Sequence, residues 1–406
     1  MNAKKDIGFS SGKRQVKGYE IAQHGQIQEM KDGWLVRSQS GNGFYRVSDM
    51  FVCDCPDSEL HNETCKHAYA VRYYLEIEKR KPEGIETDKV RLTYKQAWSA
   101  YNKAQTQEGR LFDVLLKDLT YSIQVRETPQ TRGRPHLLAR DQLFVIVKKL
   151  YLQMSGRRSI SAFKASQEKG QITHTPHFNS VYLFLNNPKI TPILHELIAI
   201  TASPLKEVET GFAVDSTGFR TTCFGAYCEG KYPTGRQHKW LKLHASCGVK
   251  TNIITAVRIT EGEGADSPQL IPLTEETAQN GFDMQKVYAD KGYIGKDNLE
   301  RITELGATPY IPFKSNTSGK SGGSTIWRKA YFYFKMNQDE FMQNYHQRSN
   351  IESTFAAMKK KLGEVLKSRL PVAQENELLC KVIAYNIMVL IQEMHELGIA
   401  VDFAPQ

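Results

Sequence analysis

The sequence predicts a multidomain protein whose largest part is an α/β domain with a mixed central sheet flanked by helices. Three observations carry this. At 406 residues the chain exceeds one typical domain. Between residues 211 and 313 short apolar, strand-like runs alternate with helical patterns. Ahead of that region a hairpin pattern, a cysteine/histidine cluster and a helix describe a small ββα module, followed by an all-helical stretch. The parts expected are residues 1–80, 81–205, 206–370 and 371–406.

Residues 1–27 are polar and basic with little periodicity. Residues 34–47 read as a hairpin around Asn42-Gly43. Cys53, Cys55, Cys65 and His67 follow within fifteen residues, before a helix over 68–79. Three thiolates and an imidazole are the usual complement of a closed structural zinc site, one Zn²⁺ per chain. The Cys-x-Cys…Cys-x-His order between hairpin and helix resembles the SWIM-type zinc finger, a module that binds either DNA or protein.

Charged residues 79–84, with Pro82 and Gly84, make a linker. Helical pattern resumes over 93–119, and Arg132-Gly133-Arg134-Pro135 resembles a minor-groove AT-hook, although a plain basic linker fits the same residues. Residues 141–203 are helical again, and 159–185 have the outline of a helix-turn-helix, a trace that many small helical domains share.

In the α/β region, strands are expected at 212–215 (running on through 220–227), 240–247, 252–260, 287–290 and 308–313. Helices are expected at 267–281 and 296–305, then a Gly/Ser/Lys-rich loop over 314–325 and a continuous helix over 338–363. The run 375–397 is a packed helix, since Lys381, Asn386 and Gln392 spoil its apolar centre 378–394 as a membrane span.

A formal net charge of +10 and a pI near 9.0 favour a polyanionic partner. The N-terminus shows no secretory signal, and seven unevenly spaced cysteines fit a reducing cytosol better than a disulfide framework.

The chemistry concentrates at three places. Phe212-Ala-Val-Asp215 and Val287-Tyr-Ala-Asp290 read as short buried strands, each with a carboxylate near its C-terminal end. On the expected helix over 338–363, Tyr345, Arg348, Glu352 and Lys359 lie at offsets 0, 3, 7 and 14 and form one stripe beside the apolar stripe Ile351, Phe355, Met358 and Leu362. Three carboxylates make an oxygen-only site suited to Mg²⁺ or Mn²⁺.

Here the chain resembles the insertion-sequence transposases of prokaryotes. Asp215, Asp290 and Glu352 look like their DDE triad, and Tyr345-x2-Arg348-x3-Glu352-x6-Lys359 matches the Y-R-E-K signature of one large group of them. Asp290-x-Gly292-Tyr293 resembles that group's second aspartate block.

The resemblance implies an RNase H-like fold for the catalytic domain. It also implies two Mg²⁺ or Mn²⁺ ions per active site and a transposase that cuts element ends and joins them to target DNA. In the family, Tyr345, Arg348 and Lys359 would contact phosphates beside the scissile bond. The basic interval 220–242, including Arg220, Arg236 and Lys239, reads as a backbone-binding surface. His244 and Asp266 fall near the expected site and are read as core or capping residues. A homodimer or higher synaptic complex on DNA, in a prokaryotic nucleoid and away from membranes, is the implied setting. Two alternatives fit the same residues: a nuclease or domesticated relative that does not transfer strands, and a zinc-dependent DNA-binding regulator.

Overall fold

A computed structural model of the chain describes residues 12–39, 43–61, 64–80, 97–123, 137–221, 240–319 and 323–403. It divides into two compact units, Met1–Leu92 with Pro312–His346, and Thr93–Ile311 with Gln347–Gln406.

The first unit begins where the sequence suggested little order. Lys13–His24 is a helix, α1, whose Tyr19 and Ile21 are buried. Two apolar residues among so many charges gave a weak periodic signal, and packing on a neighbour supplied the rest. Strands β1 (Ile27–Met30), β2 (Gly33–Arg37) and β3 (Phe44–Val47) form an antiparallel sheet in that order. The β2–β3 pairing is the expected hairpin, with Asn42 outside the described residues; β1 adds a strand the sequence reading lacked. Helices α2 (Pro56–His61) and α3 (Lys66–Arg80) follow. A Cβ on Gly18 of α1 would lie 2.5 Å from the Tyr69 Cβ of α3, so glycine lets these helices approach closely. Cys53, Cys55 and Cys65 belong to the hydrophobic core itself, with Ile21, Val36, Val47 and Val71.

The second unit opens with helices α4 (Trp98–Ser122), α5 (Ala139–Tyr151), α6 (Gly156–Glu168), α7 (Phe178–Leu185) and α8 (Thr191–Ala202). The AT-hook-like run Arg132–Arg134 lies outside the described residues. A five-stranded sheet comes next: β4 (Gly211–Arg220), β5 (Trp240–Gly248), β6 (Ile254–Glu261), α9 (Leu270–Gln279), β7 (Lys286–Ala289), α10 (Lys296–Glu304) and β8 (Thr308–Tyr310). The spatial order is β6-β5-β4-β7-β8; β6, β5 and β4 pair antiparallel with one another, whereas β7 runs parallel to both β4 and β8. It is a mixed sheet flanked by helices.

After β8 the chain returns to the first unit. Thr325–Met336 forms α11, an aromatic helix with Tyr331, Phe332 and Tyr333 buried, and Gln338–Tyr345 forms α12. Phe332 meets Tyr19 of α1 edge to face at 6.3 Å, and Arg328 pairs with Glu20 at 3.8 Å. The sequence reading placed no helix at α11, because its dense aromatics have no clean polar face.

The continuous helix expected over 338–363 is interrupted. His346–Arg348 is a 3₁₀ turn between α12 and α13 (Ser349–Leu362). The boundary between the two units falls inside this turn, so one segment serves two packings. A 3₁₀ turn advances about 120° per residue rather than 100°, so the single stripe does not run through it. Gly363, at φ +80°, ends α13.

The last helix, α14 (Pro371–Glu396), packs against α4, α5 and α8. It is long and apolar enough to cross a membrane, but 83% of its most apolar window is buried inside the protein, as in a core helix. Two of its buried polar residues find their partners outside the helix. Asn386 bonds the backbone N and O of Ile254 at 3.1 and 2.8 Å, and Glu377 accepts from the amides of Lys367 and Ser368 at 2.9 and 2.7 Å.

Candidate active site and metal-ligand cluster

Asp215 lies in the middle of β4 rather than at its end, since the strand continues to Arg220. Asp290 follows β7 directly and caps the 3₁₀ turn Lys291–Tyr293, accepting from the Lys291 amide at 2.6 Å. Val214 pairs with Ala289 in the parallel ladder, so the next residues, Asp215 and Asp290, leave adjacent strands side by side.

Arg348 brings in the third carboxylate. Its Nη1 donates to Asp215 Oδ2 at 2.7 Å and its Nη2 to Glu352 Oε1 at 2.6 Å. A guanidinium thus divides its two ends between a strand and a helix, which places a cation between two of the three acids. Burial is the main force pushing the Asp215 carboxyl above its usual range; the Ser216 amide and Arg348 oppose it, while Asp290 and Glu352 reinforce it. Glu352 remains 60% exposed, so the site is open on its helix side.

The other signature residues are distributed. Lys359 lies on the same helix as Glu352, its Nζ 5.3 Å above the Phe219 ring, and partial burial lowers its pKa. Tyr345 ends α12, stacked on Phe341 with ring centroids 6.1 Å apart, and belongs to the other unit. Arg220 is ion-paired with Glu364, and its strand bridges to Val365. Arg236 and Lys239 lie outside the described residues.

Ser216 joins Asp215 to a layer of polar residues whose bonding the sequence does not reveal. Ser216 donates from its amide to Asp215 Oδ1 and from its hydroxyl to Asp266 Oδ1, both at 2.8 Å. Asp266 also receives Lys242 Nζ at 3.2 Å and lies 3.4 Å from Nδ1 of the fully buried His244. The sequence reading puts His244 and Asp266 near the expected site as core or capping residues, and nothing in it signals these bonds.

In the first unit, the ligand atoms of Cys53, Cys55, Cys65 and His67 all lie within 4.8 Å of one another, and all four residues are buried. His67 Nδ1 is 3.8 Å from Cys53 Sγ and 3.9 Å from Cys65 Sγ, while its Nε2 has no hydrogen-bond partner. Cys65 is pulled down to about 3, chiefly by its hydrogen bond with Cys53. The same bond and burial push the Cys53 thiol up, so the two sulfurs share one proton. This is a candidate metal site, and the only such cluster among the described residues.

Two adjacent strands and one helix thus each present a carboxylate to the same candidate site. Residues 206–387 match the family described as "Transposase DDE domain". No curated protein matches the chain. Among solved structures it is similar to one described as "Cryo-EM structure of piggyBac transposase synaptic complex with hairpin DNA (SNHP)", at 13% identity and TM-score 0.35, over 78% of this chain and 79% of that one. A likeness of that size fixes neither fold nor partner.

Proposed function

We propose that this chain cleaves DNA at the ends of a mobile element and joins the ends to target DNA, using Asp215, Asp290 and Glu352. The observation that carries the reading is the Arg348 bridge. A cation already lies between Asp215 and Glu352, with Asp290 beside Asp215 on the neighbouring strand. An all-oxygen donor set neutralised by a cation fits hard divalent ions, Mg²⁺ or Mn²⁺, two per site. When bound, such ions activate the attacking oxygen and stabilise the leaving one.

The protein's own part is placement. Asp215 and Asp290 come from strands whose pairing fixes their spacing, and Glu352 comes from a helix that can adjust. Arg348 neutralises Asp215 and Glu352; were those carboxylates to hold ions, its guanidinium would be left for a phosphate oxygen. Lys359 and Tyr345 are the remaining phosphate contacts, with Arg220, Arg236 and Lys239 as a wider backbone-binding surface. The strand order, three antiparallel strands followed by two parallel ones, supports an RNase H-like fold for residues 206–370. DNA is the partner, held by a dimer or larger synaptic assembly in a prokaryotic cell.

The Cys53/Cys55/Cys65/His67 cluster holds one structural Zn²⁺. A tetrahedral zinc with bonds of about 2.3 Å to sulfur and 2.0 Å to nitrogen spaces its ligands roughly 3.6 Å apart. The sulfur–nitrogen distances of 3.8 and 3.9 Å are close to that.

Purified protein with DNA carrying the element ends and Mg²⁺ should cut and then join strands. Cutting without joining would favour a nuclease, and no cutting with an intact fold would leave a DNA-binding regulator.

A further inference from the structure

We propose that the dipeptide Asp266-Ser267 is a clasp that sets the separation of Asp215 and Asp290, and that Asp266 is a positioning residue of the cleavage site. The inference rests on the site reading above and adds residues to it.

The hydrogen bonds close a ring. From Asp215, the Ser216 amide bonds the carboxylate at 2.8 Å, and the Ser216 hydroxyl reaches Asp266 at 2.8 Å. One residue on, Ser267 accepts from Asn298 Nδ2 at its carbonyl (3.3 Å) and its hydroxyl (3.1 Å). The same Nδ2 donates to the Tyr293 carbonyl at 2.8 Å. Tyr293 closes the turn that Asp290 caps, its amide donating to the Asp290 carbonyl at 2.9 Å. The Val214–Ala289 pairing completes the circuit from the other side. Two adjacent residues of one loop therefore hold the neighbours of both aspartates.

The loop is itself fixed. Lys242 donates to the Gly264 carbonyl at 3.0 Å as well as to Asp266, and Asn298 is buried. Lys242 also neutralises Asp266, so the clasp adds little net charge to a site that must attract cations. The spacing matters because two ions act on one phosphodiester only at a separation of roughly 4 Å, and a misplacement of about 1 Å can cost on the order of 100-fold in rate. Mg²⁺ demands near-ideal octahedral geometry and should suffer most from a loosened clasp.

The test is single-turnover cleavage of end DNA in Mg²⁺ and in Mn²⁺ by Asp266→Ala, Ser216→Ala, Ser216→Thr and Asn298→Ala, with Asp215→Asn as control. Melting temperatures and the electron-paramagnetic-resonance spectrum of Mn²⁺-loaded protein on DNA are read alongside. Asp266→Ala should lose roughly 100-fold in Mg²⁺ but only about 10-fold in Mn²⁺, with the spin-coupled Mn²⁺ pair weakened. Ser216→Ala and Asn298→Ala should lose less in the same pattern, and Ser216→Thr, which keeps the hydroxyl, should stay near wild type. If Asp266→Ala fails to fold, Ser216→Ala and Asn298→Ala carry the test. Losses equal in both metals, or cleavage within threefold of wild type by folded Ser216→Ala and Asn298→Ala while Asp215→Asn is dead, would overturn the clasp. An active Asp215→Asn would overturn the site assignment beneath it, and the clasp with it.

Discussion

The thiol cluster and the carboxylate group are built on opposite plans. In the first, four ligating atoms lie within 4.8 Å of one another inside the hydrophobic core. Their core neighbours are apolar, and in the zinc reading proposed above folding and metal binding would be one event. In the second, the acids come from separate elements, Glu352 is mostly exposed, and Arg348 occupies the space between two of them. A closed site supplies stability. An open one, charge-balanced by a movable side chain, keeps room for a substrate.

The largest expected effect lies in the closed site. A structural zinc contributes on the order of 10 kcal/mol to its module, so Cys65→Ser should release the metal and unfold residues 12–80. Metal analysis with limited proteolysis reads this; a protease-resistant, metal-free module would erase the contrast between the two sites. Next comes the open site. Asp290→Asn or Glu352→Gln should cut single-turnover cleavage by on the order of 1000-fold or more while thermal stability and DNA binding stay near wild type, because no core depends on those side chains.

Arg348→Ala sharpens the comparison because it should separate two properties. Cleavage should fall roughly 100-fold for want of phosphate alignment, yet Mn²⁺ should bind the DNA-free protein more tightly, since its competing cation is gone. Weaker Mn²⁺ binding by calorimetry would mean that Arg348 builds the site rather than guarding it.

Glu393 of α14 is a third kind of acid, buried in a cleft of about 900 Å³ it shares with Glu209 and Lys250. Burial, with Glu396 and Glu209 adding to it, raises its pKa from 4.5 to about 7. A folded pKa above the unfolded one means the stabilisation is complete below about 4.5 and lost as pH rises through about 7. Glu393→Gln should therefore be more stable than wild type at pH 8 by about 1–3 kcal/mol, with the gain shrinking as pH falls to 5 in denaturant titrations. A pH-independent difference would show that the carboxyl is already ionised.

The smallest effect separates neighbours on α13. Lys359→Ala should slow cleavage roughly tenfold at saturating DNA. Lys360→Ala and Lys361→Ala should change it less, Lys361 being already paired with Glu108 at 3.2 Å. Equal losses at all three would reduce Lys359 to part of a basic surface.

Much of this was legible from residues alone. The five strands of the sheet appear within or overlapping the short apolar runs expected to form them, and the four thiol-cluster ligands are visible because they fall within fifteen residues. What failed was whatever depended on distant packing. The helix α1 takes its place from α3 and α11, and of these the local pattern announces only α3. The turn at His346–Arg348 breaks a helix that the spacing of Ile351, Phe355, Met358 and Leu362 seemed to extend upstream. The bond between Ser216 and Asp266 spans 50 residues, beyond the reach of any motif.

The discontinuity of the first unit carries a consequence in time. Its two segments, Met1–Leu92 and Pro312–His346, are separated by 219 residues (312 − 92 − 1). At about 5–20 residues per second, a ribosome needs roughly 10–45 s to cross that gap. During that interval α1 waits with the Tyr19 and Glu20 side chains that meet α11 still uncovered. When residue 346 emerges, the next to follow are Arg348 and Glu352. The N-terminal unit is thus completed only as the last carboxylate of the candidate site is about to be made, so a chain ending before His346 would lack both together.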